Sequence, residues 1–134
     1  MDYQDYYNKA HKASALKDAG DNLGAIAVFE ELVNSDISDL DKATMCRNIA
    51  IICEQMGALD QSLAWYEEGM RYEAPYMRTQ LLEAKAAHLA NFHKDRDAEA
   101  IAIYEHLYAL PYVTENDKER IWKNLTVLRN PRPR

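Results

Sequence analysis

The chain has 134 residues, 48% of them hydrophobic and 28% charged, with a net charge of −6. A chain this long buries roughly two-thirds of its unfolded surface, enough for a real core, and only 4 Gly and 4 Pro argue against a sheet rich in tight turns. No apolar run approaches the ~20 residues of a membrane span, the acidic and aromatic opening "MDYQDYYNKA" is not a signal peptide, and the acidic balance argues against general nucleic-acid binding.

In chain order, apolar residues recur at helical spacing over about residues 3–19, 20–33, 39–56, 57–70, 76–94, 95–108 and 115–129. Ser38 precedes Asp41 by three and Thr114 precedes Asp117 by three, so both are expected to act as N-caps. Cys46 and Cys53 lie seven apart in one predicted helix. That places the sulfurs about 10 Å apart along the axis. A disulfide needs its Cα atoms within about 7 Å, so the two are expected to be reduced, buried and small, as suits a cytoplasmic protein.

Three segments say the same thing. They are "GDNLGAIAVFEELV" (20–33), "GALDQSLAWYEEGM" (57–70) and "DRDAEAIAIYEHLY" (95–108). A small residue falls at Ala25, Ser62 and Ala100, an aliphatic at Ile26, Leu63 and Ile101, and an aromatic at Phe29, Tyr66 and Tyr104. The spacings are 37 and 38 residues, a period that signals stacked repeats. Thr114 stands 76 residues after Ser38, so the last helix sits where a fourth repeat would begin. One helix pair cannot bury its apolar face alone. Stacked pairs share a core, and a last helix covers the open end, with Trp122 expected in that cap.

These residues resemble the tetratricopeptide repeat (TPR), a helix–turn–helix of ~34 residues. Ala25, Phe29 and Leu32 match the second-helix pattern of that family, as do Ser62, Tyr66 and Gly69, and Ala100, Tyr104 and Leu107. Gly20-Asp21 matches the turn between helices, Gly57-Ala58 half matches and Asp95-Arg96 does not. In the first helices only Trp122 and Leu125 match fully. The resemblance implies an all-α, right-handed solenoid in one domain over 1–130. Its three pairs cover about 6–39, 43–76 and 81–114, with a capping helix at 115–129 and a short basic tail at 131–134.

No catalytic constellation is present. The histidines are His11, His88, His93 and His106, and no HExxH pair occurs. His88 and His93, five apart, are expected on different faces of one helix. No GxSxG, Gly-rich phosphate loop or CxxC occurs. The expectation is a non-enzyme without metal or cofactor.

In TPR proteins the first helix of each pair lines a concave groove. Carried over by position, the groove contains Tyr7, His11, Lys17 and Asp18, then Arg47, Asn48, Ile51 and Glu54. The third pair supplies Leu82, Lys85, Leu89 and Phe92, and the last helix Arg120, Lys123 and Asn124. Five cations against two acids make this groove basic within an acidic chain, which favours acidic ligands. Ile51, Leu82, Leu89 and Phe92 add an apolar strip. The resemblance therefore implies a protein-interaction module, an adaptor or regulatory scaffold. It would hold a peptide or helix of acidic character, with no nucleic acid or membrane partner, as a monomer or weak homo-oligomer. The alternative is a structural protein that self-assembles by stacking its end helices.

Overall fold

The structure is a computed structural model and describes residues 1–130; the basic tail at 131–134 lies outside the described residues. Among those described, every regular element is helical. The α helices are α1 (Tyr3–Asp18), α2 (Asn22–Val33), α3 (Asp39–Gln55), α4 (Leu59–Glu73), α5 (Gln80–Phe92), α6 (Asp97–Ala109) and α7 (Glu115–Arg129). Short 3-10 turns follow α4, at Ala74–Tyr76, and α5, at Lys94–Arg96. None of the described helices is long and apolar enough to cross a membrane.

Local chemistry sets the helix ends. The Ser38 hydroxyl accepts from the Asp41 N–H and the Thr114 hydroxyl from the Asp117 N–H, each at 3.1 Å. These bonds satisfy donors that a helix start leaves orphaned. Asp2 and Asp21 cap α1 and α2 in the same way. α1 and α3 end in matching turns. Gly20 and Gly57 take φ of 87° and 77°, a left-handed conformation that costs glycine no Cβ clash. The Gly20 N–H then bonds the Lys17 carbonyl and the Asp21 N–H the Leu16 carbonyl. Gly57 and Ala58 repeat this with Glu54 and Cys53, so both turns are Schellman motifs. The third pair lacks the glycine and turns through the 3-10 segment at Lys94–Arg96 instead. α5 starts four residues later than the periodicity predicts. Pro75 and the left-handed Met77 (φ 55°) hold the preceding residues in a 3-10 turn.

The chain divides into two compact units, Met1–Leu81 and Leu82–Arg134. In unit 1, α1 packs on α2, α2 on α3 and α3 on α4. Its core joins Ala13, Ala25, Phe29, Leu32, Met45, Cys46, Ile49 and Ile52. In unit 2, Ala86, Tyr104, Leu107, Ile121 and Leu125 unite α5, α6 and α7. Each large apolar side chain buried this way contributes about 1.5–3 kcal/mol. The repeated triads all face inward: Ala25, Ser62 and Ala100 are fully buried, and so are Phe29, Tyr66 and Tyr104 to within a few per cent. Gly69 leaves room for Leu81 and Cys46, since a Cβ there would lie 2.9 Å from Leu81 Cγ.

Candidate functional site

In unit 1 the predicted groove residues lie on α1 and α3. α1 turns Tyr6, Ala10 and Ala13 to the core and leaves Tyr7 and His11 exposed beside them. With Tyr3 they form an i,i+4 ring ladder, with centroids 6.2 Å apart for Tyr3–Tyr7 and 4.3 Å for Tyr7–His11. On α3, Asn48 and Ile51 are half-buried and Arg47 is exposed, with no ion-pair partner among the described residues. Glu54 is engaged: it accepts the Tyr66 hydroxyl at 2.6 Å. Burial first, and then this carboxylate, pushes the Tyr66 hydroxyl well above its ordinary pKa.

Unit 2 disposes of its predicted cations differently. Arg120 makes a two-point contact with Glu83, at 2.7 and 2.8 Å, and also meets Asp117 at 2.9 Å. Lys85 lies 3.5 Å from Glu99, and Lys123 3.4 Å from Glu119. The Arg96 guanidinium first, and the Lys85 ammonium to a lesser extent, holds the Glu99 carboxyl below its usual range. The acids that neutralise these cations lie outside the predicted groove; the two cations left, Arg47 and Lys17, are matched in number by the groove acids Asp18 and Glu54, so the expected excess of positive charge does not remain. The apolar strip is corrected too. Leu89 is buried and offers nothing to a ligand, and Leu82 packs on the core of unit 2. Phe92 is 43% exposed, its ring 5.1 Å from that of His88.

A cleft of about 500 Å³ opens among α5, α6 and α7. Ala87, Ala90, Val127 and Leu128 line its apolar part, and Asn91, Lys94, Asp97, Tyr104, Asn124 and Asn130 its polar part. Asn124 is the predicted groove residue found here. Its side chain bonds the Tyr104 hydroxyl, whose pKa burial nonetheless raises to about 12. Asp97 Oδ1 is buried and accepts from no described residue. Asp97 opens α6, where it reads in sequence as an ordinary first-turn acid.

Trp122 does not cap the core. It is 51% exposed, and α7 buries Ile121 and Leu125 instead. Its ring tilts on Tyr108 at 5.5 Å, and the Lys118 ammonium lies 5.6 Å from the Tyr108 centroid. Cys46 and Cys53 are both free and buried. Burial pushes the Cys46 thiol up to about 12 and raises Cys53 as well, so neither is poised as a nucleophile.

Residues 11–107 match DUF6340, a domain of unknown function. The chain belongs to this family. The DUF6340 match runs from the middle of α1 into α6 and leaves α7 outside it. Both predicted groove faces of α3 and α5 fall within the DUF6340 segment, whereas Asn124 and Trp122 do not. No curated protein matches the chain.

Proposed function

We propose that this DUF6340 chain is a non-catalytic protein-interaction module of three TPR-like helix pairs, holding an acidic peptide or helix along α1 and α3. The observation that carries this reading is the division of labour between helices. α2, α4 and α6 each commit a small residue and an aromatic to the core. α1 and α3 keep Tyr7, His11, Arg47, Asn48 and Ile51 at least partly open. An exposed guanidinium without an internal carboxylate can take one from a ligand as a forked pair. Asn48 can bond both the N–H and the C=O of an extended backbone.

The test is selection of a displayed random-peptide library on the wild-type protein and on Arg47→Glu, whose exposed side chain leaves the core untouched. Acidic peptides enriched by wild type, at least tenfold weaker on Arg47→Glu and weaker at high salt, are the expected result. Equal enrichment on both, or a flat salt profile, would remove Arg47 from the site.

A second reading, self-assembly through the end helix, is favoured by the half-exposed Trp122 on Tyr108. Paired aromatics at such a surface are frequent anchors of interfaces. Sedimentation velocity should then give concentration-dependent size for wild type and a monomer for Trp122→Ser; a wild-type monomer at every concentration would exclude this reading.

A further inference from the structure

Two imidazoles of unit 2 meet at their Nε2 atoms, 3.2 Å apart. His88 lies on α5 and is 1% exposed. His93 is the first residue beyond that helix and is half-buried. On a continuous helix, residues five apart diverge by roughly 140° around the axis. His93 departs from that rule because its backbone leaves helical geometry, at φ −132° and ψ 73°. Its N–H still bonds the Leu89 carbonyl at 2.9 Å, and its carbonyl accepts from the Arg96 N–H at 2.8 Å. The tight turn that replaces the missing glycine thus swings this ring back over the last turn of α5.

The mutual orientation of the rings is informative. Their centroids are 5.0 Å apart and their planes 51° apart. A head-on N–H···N bond at this nitrogen separation sets the centroids about 5.6 Å apart, since each nitrogen stands ~1.2 Å from its ring centre. Two rings aimed at one shared point with bonds of ~2.05 Å give about 5.1 Å between centroids at this nitrogen separation, with an angle of about 103° at that point. The observed pair has the converging geometry. We infer that His88 and His93 form a two-imidazole site for a divalent transition metal ion such as Zn²⁺ or Ni²⁺, with solvent completing the coordination. Neutral imidazole suits such ions, whereas Mg²⁺ and Ca²⁺ take oxygen ligands. Phe92 packs beside His88 and keeps solvent from one side of that ring. No group of three or more His, Cys, Asp or Glu able to hold a metal occurs among the described residues, so the site binds reversibly rather than as a structural zinc.

The experiment is a titration of the full chain with ZnCl₂, with MgCl₂ as control, following the imidazole ring signals by NMR. The His88 and His93 signals should move together and saturate at one equivalent. Those of the exposed His11 and His106 should not move over that range. Zn²⁺ should raise the melting midpoint of wild type. His93→Gln should bind at least tenfold more weakly and lose that rise, and His93→Ala serves as the second variant should the glutamine disturb the turn. Equal Zn²⁺ affinity in wild type and both variants, or movement of His11 or His106 first, overturns the assignment, as does an unchanged spectrum.

Discussion

Glu73→Ala is expected to destabilise the protein by about 3 kcal/mol in chemical denaturation, the loss of a charged hydrogen bond plus an orphaned buried donor. Glu73 is the last residue of α4 and is 3% exposed. Its carboxylate accepts the Leu81 N–H at 2.6 Å. Leu81 is the second residue of α5, so its N–H is one of the four donors that a helix start cannot satisfy internally. A negative charge there also meets the positive end of the helix dipole. Glu73→Gln keeps an acceptor and loses the charge, so it should cost less, about 1–2 kcal/mol. The order Ala worse than Gln is the signature of the bond; a loss below about 1 kcal/mol for Ala would show that the carboxylate is dispensable.

Ala100→Leu is expected to cost about 1–3 kcal/mol through overpacking. Ala100 is fully buried on α6, in the place that Ala25 takes on α2. The added carbons have no void to enter, and neighbouring helices must separate or adopt strained rotamers. Ala102→Leu, two residues on and exposed, is the control. Alanine and leucine differ little in helix propensity, so that variant should stay near wild type. An unchanged midpoint for Ala100→Leu would mean that the repeat register is wrong.

The helices were legible because their signals are local. The Ser38 and Thr114 caps, the Gly20 and Gly57 turns and the inward aromatics Phe29, Tyr66 and Tyr104 all follow from residues within one or two turns. The candidate site was less legible because its decisive contacts are between helices. Arg120 finds Glu83 37 residues away, and Lys85 finds Glu99 across a turn. A count of groove positions omits these partners. Family position turns Leu89 outward, yet it is buried. His88 and His93 were separated by ideal helical geometry, which ends one residue before His93. The absence of Gly at Asp95-Arg96, visible in the sequence as a departure from the repeat, was the available clue. The Asp97 carboxylate gave no comparable signal.

The chain's two cysteines both lie in α3, within unit 1, and both are buried. A thiol reagent can react with either only when that unit opens, so its rate reads the opening free energy of unit 1 alone. Trp122 belongs to unit 2. With Trp65 of α4 replaced by Phe, the chain carries a chemical clock on its first four helices and a single indole reporter, Trp122, on its last three. The two readings coincide if the units unfold as one and separate if they do not.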